Sequence, residues 1–138
     1  MGRNEALDAL GDAKRWFKVG MLAGEHGDYN IGLYSLEMSI EIALKGVLTK
    51  LGVVYPKVHD VIPLVMKVFT EKRSKLPKEF VENETFIVDT FRELLKRRGP
   101  AGYTFSSNIK IADLKGDFNV YSKAVEKTIK LCQETIES

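Results

Sequence analysis

The feature that most constrains the fold is a long segment, about residues 29–51, that is apolar around most of a helical circumference. Aliphatic residues recur there at the spacing of one face of an α-helix: Leu33, Leu36, Ile40, Leu44, Val47 and Leu51. Met38 and Ile42 widen this stripe beyond the arc of a surface helix. Such a helix has to be covered on several sides, by its own bundle or by a second copy. The segment therefore predicts a helix at the centre of a bundle and suggests a homodimer.

One charged line interrupts this apolar segment. Glu37, Glu41 and Lys45 follow one another at intervals of four residues, so they lie along one side of the helix. Either the line is the solvated face, or it borders a groove that a ligand, a partner subunit or a nucleic acid occupies. A glutamate four residues before a lysine is the favourable order, worth about 0.2–0.5 kcal/mol, so Glu41 and Lys45 are predicted to pair.

Glycine, proline and turn-forming clusters divide the chain into five periodic segments. Short connections between long amphipathic helices favour antiparallel neighbours. The predicted fold is all-α, an up-and-down antiparallel bundle of four to five helices in one domain spanning residues 1–138. No strand is predicted, and the helices are expected over these ranges: about 4–23, 29–51, 60–72, 77–98 and 117–137.

Local signals at the helix ends refine this prediction. Asn4 is a plausible N-cap of the first helix, and Asp60 of the third. Gly52 is suited to end the second helix in a left-handed conformation. The segment 99–117 shows no sustained period, which predicts a long irregular loop of the kind that is usually functional.

Composition excludes several classes of protein. With 138 residues, 44% hydrophobic and 29% charged, the chain is typical of a globular domain. The single cysteine, Cys132, cannot form an internal disulfide, and no apolar run approaches the roughly 18–20 residues of a membrane span. We expect a cytoplasmic protein without a membrane segment. A net charge of +2 is too small to indicate nucleic-acid binding by itself.

Motifs of common chemistry are absent from the sequence. There is no P-loop, G-x-G-x-x-G, G-x-S-x-G or H-E-x-x-H pattern. His26 and His59 are the two histidines, they fall in different inter-helix regions, and no metal-ligand spacing occurs on one helix. We therefore expect no metal and no cofactor. His59 is predicted to cap a helix or to hydrogen-bond across the bundle, and the carboxylates are predicted to lie on helix surfaces.

A basic run ends the fourth predicted helix. Lys96, Arg97 and Arg98 suit a helix C-terminus, where cations interact favourably with the macrodipole. The run is followed by a Gly-Pro break and by the aromatic residues Tyr103 and Phe105. It is either a solvated helix end or a site that holds a phosphate.

The segment HGDYNIGLYSLEMSIEIALKGVLTKLGVVYPKVHDVIPLV resembles the HEPN family of small helical domains. The matching features are the G-D-Y-N opening, the E-x-x-x-E-x-x-x-K pattern at Glu37, Glu41 and Lys45, and His59 after a loop with tyrosine and proline. The resemblance implies a five-helix bundle that commonly dimerises. It also implies a separately encoded nucleotidyltransferase as partner, and a nucleotide or RNA as ligand.

Many HEPN members resemble RNA-cleaving toxins, which carry an arginine with a histidine a few residues further on. Here the chain after Arg98 reads GPAGYTF, and no histidine follows His59. Tyr103, with a reference pKa of about 10, is a poor general base near neutral pH. The resemblance with this departure predicts a chain without catalytic residues.

The function predicted from the sequence is a dimeric, non-catalytic accessory subunit of a small nucleotidyltransferase, in a toxin–antitoxin-like pair. Two alternatives remain: a metal-independent endoribonuclease that uses Tyr103 or His59, and a pure assembly module. The predicted ligand- or partner-binding groove consists of Glu37, Glu41, Lys45, His59, Arg97, Arg98 and Tyr103.

Overall fold

The structure is a computed structural model that describes residues 2–138. Over that range the chain contains α-helices and short 3-10 turns, and no β-strand. None of the helices described there is long and apolar enough to cross a membrane. The all-α prediction is confirmed, and the helices are α1 (Gly2–Glu25), α2 (Tyr29–Lys50), α3 (Ile62–Glu71), α4 (Lys78–Glu82), α5 (Glu84–Gly102), α6 (Thr104–Ser107) and α7 (Lys115–Glu137).

Helix α2 is the centre of the bundle. Its stripe residues Leu33, Leu36 and Ile40 are fully buried, as the sequence predicted. The helices that cover α2 are α1, α5 and α7 of the same chain. The apolar circumference of α2 is therefore satisfied within one chain, and it does not require a second copy.

Close approaches of small residues fix the directions of the neighbouring helices. A side chain at Gly46 of α2 would meet Ala6 at the start of α1, whereas one at Gly20 of α1 would meet Gly32 at the start of α2. Helices α1 and α2 are therefore antiparallel. Helix α7 runs parallel to α2, because its early residue Phe118 lies against Gly32. This is the up-and-down arrangement that the sequence predicted.

The turn chemistry around the site also follows the sequence. Gly52 has a φ angle of 73°, and the amide of Val53 donates to the carbonyl oxygen of Leu48 over 2.9 Å, which is a Schellman end to α2. Asp60 was predicted as the N-cap of the third helix, but the N-cap of α3 is Val61. Asp60 precedes it, and its Oδ1 atom accepts a hydrogen bond of 3.0 Å from the amide of Ile62. These two turns set the direction of the connection between α2 and α3, which carries His59.

Two parts of the predicted helix pattern are wrong. The first helix begins at Gly2, so Asn4 lies inside it and is not its N-cap. The fourth predicted helix is divided at Asn83 into α4 and α5. The ring of Phe80 stacks on Phe69 of α3 with 5.1 Å between ring centroids. Helix α4 contacts α3 through this ring pair and also packs against α7, whereas α5 packs mainly against α2.

The predicted loop at 99–117 is also largely helical. Helix α5 continues through Pro100 to Gly102, the short α6 follows, and α7 begins at Lys115 after a 3-10 turn. Pro100 lies in the last turn of α5, so the amide donor that it lacks and the crowding of its ring against the carbonyl group of Lys96 disturb the helix only near its end. The Gly-Pro pair predicted the end of this helix, but the helix continues to Gly102.

We predict that Gly32→Ala destabilises the protein by about 1–3 kcal/mol. A Cβ atom at this position would lie 2.6 Å from the ring of Phe118, which is buried between α1, α2 and Tyr29. The matched control is Gly116→Ala in the first turn of α7, where nothing lies within 4 Å of the added Cβ. Since alanine is the better helix former, the control should gain up to about 1 kcal/mol. Urea denaturation measures both, and an undiminished stability of Gly32→Ala would contradict the packing described.

Candidate functional site

The charged line of α2 is not a solvated face. Glu37 is 0% exposed and Glu41 is 2% exposed, so the prediction that these carboxylates lie on a helix surface is wrong. Lys45, at the end of the line, has a side chain that is 16% exposed. Helix α5 covers these glutamates on one side, and the connection that carries His59 covers them on another.

Arg98 of α5 reaches both carboxylates. Its Nη1 atom lies 3.2 Å from Oε1 of Glu37 and 3.9 Å from Oε1 of Glu41. Its Nη2 atom donates a hydrogen bond of 2.6 Å to the hydroxyl of Tyr34, and the guanidinium lies 4.7 Å from the centroid of that ring. Arg98 is thus anchored by Tyr34 at one end and directed at the glutamates by the other.

Glu41 is the point on which the charged groups converge. Lys45 donates to its Oε2 atom over 2.9 Å, which confirms the pairing predicted from their spacing. The Nδ1 atom of His59 lies 3.1 Å and 3.2 Å from the two carboxylate oxygens. A carboxylate only accepts hydrogen bonds, so Nδ1 carries the proton and Nε2 is left as an acceptor. The predicted hydrogen bond of His59 across the bundle is therefore present.

We call Glu37, Glu41, Lys45, His59 and Arg98 the polar cluster. It is buried at the glutamates and opens at His59, whose side chain is 57% exposed. The cluster brings together five of the seven residues that the sequence analysis placed in a binding groove. Their role in binding remains a prediction.

The other two predicted groove residues lie elsewhere. Arg97 donates from Nε to Asp117 over 2.9 Å and from Nη1 to Glu93 over 3.0 Å, and it packs on the ring of Tyr121. Tyr103 is exposed and pairs with the ring of Phe105 at 6.0 Å between centroids. Adjacent residues of a helix point in different directions, so Arg97 and Arg98 do not share one site.

Glu37 has no well-aligned hydrogen bond within residues 2–138, and neither has Nη1 of Arg98. Their 3.2 Å contact lacks hydrogen-bond geometry. Burial, followed by the negative charge of Glu41, raises the pKa of Glu37 to about 8, while Arg98 and Lys45 oppose the rise. Near pH 7 Glu37 is therefore largely protonated. One negative charge, on Glu41, then faces two positive charges, on Lys45 and Arg98, so the cluster has an excess of one positive charge.

The cluster also contains a possible metal-ligand set. Glu37, Glu41 and His59 each offer one donor atom, and these atoms lie within 4.8 Å of one another. Ligand spacing on a single helix predicted no metal site. The spacing does not reveal this set, because His59 follows Glu41 by 18 residues and contacts its carboxylate from a separate connection.

Two residues that position Arg98 were missed as well. Tyr34 holds the Nη2 atom, and the Sδ atom of Met38 lies 4.0 Å from it. The sequence does hold a signal for them. Tyr34 and Met38 precede Glu37 and Glu41 by three residues on the same side of α2, so the aromatic and thioether side chains extend the charged line toward the helix start.

An open groove of about 550 Å³ lies between α3 and α5. Its lining includes Asp60, the residue after His59, but no residue of the polar cluster. Apolar side chains of α3 and α5 form most of it, together with two cations: Ile62, Pro63, Met66, Leu95, Arg92 and Lys96.

The fold and the polar cluster together define a small all-α bundle with an ionisable site between its central helix and a neighbouring helix. The family model of the HEPN domain matches residues 6–138. The chain therefore belongs to the HEPN family, as its sequence resemblance indicated. No curated protein and no solved structure matches it.

We predict that Glu37→Gln removes one component of the pH dependence of stability. The pKa of Glu37 is about 8 in the folded chain and near its ordinary value of 4.5 when unfolded. Between these values the folded state binds the extra proton, so stability due to this group falls as the pH rises. The difference in unfolding free energy between Glu37→Gln and the natural chain should therefore grow in favour of the variant, by a few kcal/mol from about pH 5 to about pH 8.

Urea denaturation at several pH values measures this difference. Glu126→Gln is the matched control, since Glu126 is exposed on α7. A difference for Glu37→Gln that does not change with pH would show that Glu37 is not a buried, protonated carboxyl group.

Proposed function

We propose that this chain is a non-catalytic HEPN module that binds the phosphate of a nucleotide or an RNA at the polar cluster. One observation carries the proposal: Lys45, His59 and Arg98 come from three separate parts of the chain and converge on the carboxylate of Glu41. Such convergence on a partly open cleft is typical of a binding site.

Electrostatics support an anionic ligand. With Glu37 protonated, the cluster has one excess positive charge near pH 7. Cations that are only partly exposed form stronger hydrogen bonds with phosphate than cations surrounded by water. Lys45 and Arg98, with side chains 16% and 15% exposed, are in this situation.

The groove between α3 and α5, which includes the residue after His59, supports a nucleotide rather than free phosphate as the ligand. A base has an apolar face and polar edges, and the groove offers Met66 and Leu95 beside Arg92 and Lys96. These two cations pair with exposed carboxylates one turn away, and such pairs are weak enough to exchange. A phosphate at the cluster would leave the base at the groove.

The proposal extends to partners. The chain would act as a homodimer and as the accessory subunit of a separately encoded, small nucleotidyltransferase, in a toxin–antitoxin-like pair in the cytoplasm. Membership of the HEPN family supports this part. Native mass, with and without such a partner co-expressed, is the measurement that decides it.

A second candidate function is metal-independent RNA cleavage, and a specific contact favours it. His59 and Arg98 both reach the Glu41 carboxylate, so one phosphate placed there would lie near both. Glu41 orients the imidazole through Nδ1 and leaves Nε2 as a proton acceptor, which suits a general base. Tyr103 lies apart from this dyad. Tyr34 holds the Nη2 atom of Arg98 and so limits the access of a reacting phosphate to this guanidinium. We therefore favour binding over cleavage.

We predict that a nucleotide such as ADP raises the melting temperature of the chain, because a ligand that binds the folded state stabilises it. Lys45→Gln should weaken binding by about tenfold or more, the loss expected for one charge-assisted hydrogen bond. Lys123→Gln, on the exposed face of α7, is the control and should bind as the natural chain does. EDTA is present throughout, so that the result concerns the protein alone.

The same protein samples are then incubated with single-stranded RNA. Binding without cleavage supports the proposed function. Cleavage that is lost in His59→Ala and kept in His26→Ala would replace it with the nuclease. If neither ADP nor RNA shifts the melting temperature, whether EDTA or a divalent ion is present, the binding function is wrong and an assembly module is left.

A further inference from the structure

The contacts within the polar cluster present a difficulty for phosphate binding. Lys45 is already hydrogen-bonded to Glu41, and Arg98 lies against Glu37. A phosphate would have to compete with these carboxylates for the same cations. Phosphate binds more readily if another positive charge pairs with the glutamates and frees Lys45 and Arg98.

The glutamates are arranged to accept such a charge. Glu37 is 0% exposed, and neither of its oxygens has a hydrogen-bond partner within residues 2–138. A buried carboxylate that lacks partners is costly, and buried charges in proteins are normally paired or coordinate a metal. The donor atoms of Glu41 and His59 face the same space, within 4.8 Å of that of Glu37.

We propose that Glu37, Glu41 and His59 bind a divalent first-row transition-metal ion, and that this ion binds together with the phosphate of the ligand. The inference rests on the proposed function, which it deepens by making the ligand a metal–phosphate complex. The metal occupies the carboxylates, and Lys45 and Arg98 are released toward the phosphate oxygens.

The geometry requires small movements. Two donors on one ion, each at about 2.0–2.2 Å, are at most about 4.4 Å apart. The donor atoms lie within 4.8 Å of one another, so any closing that is needed is at most a few tenths of an ångström, which side-chain rotation provides. The Nη1 atom of Arg98 makes no hydrogen bond, so it can withdraw while Nη2 keeps its bond to Tyr34. The proton on Nδ1 of His59 and any proton on Glu37 pass to the solvent.

Charge balance explains why the metal and the phosphate belong together. With both glutamates ionised, Lys45 and Arg98 neutralise them. A divalent ion then adds two positive charges to a partly buried site, so the ion binds less tightly alone than it does together with an anion. A phosphate dianion restores neutrality, and three protein ligands leave coordination positions open for its oxygens.

The donor types indicate the class of ion. Calcium and magnesium prefer sites made of oxygen ligands alone. Two carboxylates with one imidazole suit manganese, iron or zinc. Mn²⁺ is the probe of choice, and Mg²⁺ provides the comparison.

The first test uses Mn²⁺ alone and measures the melting temperature. The natural chain should be stabilised more by Mn²⁺ than by Mg²⁺, and His59→Ala and Glu37→Gln should lose the effect. His59 is more than half exposed, so its alanine variant should fold. The matched control is Glu134→Gln, which removes one member of an exposed carboxyl pair with Glu79. Mn²⁺ stabilisation that is absent, or unchanged in His59→Ala, would overturn the inference.

The second test measures ADP affinity in EDTA and in Mn²⁺. The expected result is an affinity about tenfold or more higher with Mn²⁺ in the natural chain, and no gain in His59→Ala. Equal affinity in both conditions would overturn the metal inference and leave the proposed function standing. No binding in either condition would overturn both.

Discussion

The contact between Glu37 and Arg98 is the interaction on which the rest of the site depends. It joins the central helix α2 to α5 inside the bundle, where a lone charge on either residue would be very costly. Burial explains the raised pKa of Glu37, and the imperfect alignment explains its unpartnered oxygens. Replacing such a pair by apolar residues often stabilises a protein, so its presence suggests a role other than stability. Binding a ligand or a metal ion, with loss of the proton from Glu37, is such a role.

The sequence predicted the fold well because the fold depends on local signals. The aliphatic stripe of α2 required a central helix, and Gly52 required a left-handed turn that only glycine adopts freely. The predictions failed where tertiary packing decided the outcome. Helices α4 and α5 are divided at Asn83, and Phe80 of α4 stacks on Phe69 of α3, a contact that no local pattern reveals. Helix α5 also continues through Pro100 to Gly102, against the local signal that Gly-Pro ends a helix.

The site was predicted less completely, for a related reason. Spacing along α2 identified Glu37, Glu41 and Lys45, since a helix converts a period of four into a line. Spacing cannot say whether that line faces water or protein, and burial reversed the surface interpretation of the glutamates. Contacts from other elements, such as His59 on Glu41, depend on the path of the chain between helices. The same limit separates Arg98, which enters the cluster, from its neighbour Arg97, which pairs with Asp117.

The measurement that tests this account most directly is a double-mutant cycle of Glu37→Gln and Arg98→Gln, with unfolding free energies measured at about pH 6 and about pH 9. Glu37 is protonated at the lower pH and ionised at the higher, given its pKa of about 8. We predict a coupling energy of about 1–3 kcal/mol at the higher pH and a clearly smaller one at the lower. Additive effects at both pH values would contradict the account, because they would mean that the two residues do not interact as a buried charge pair.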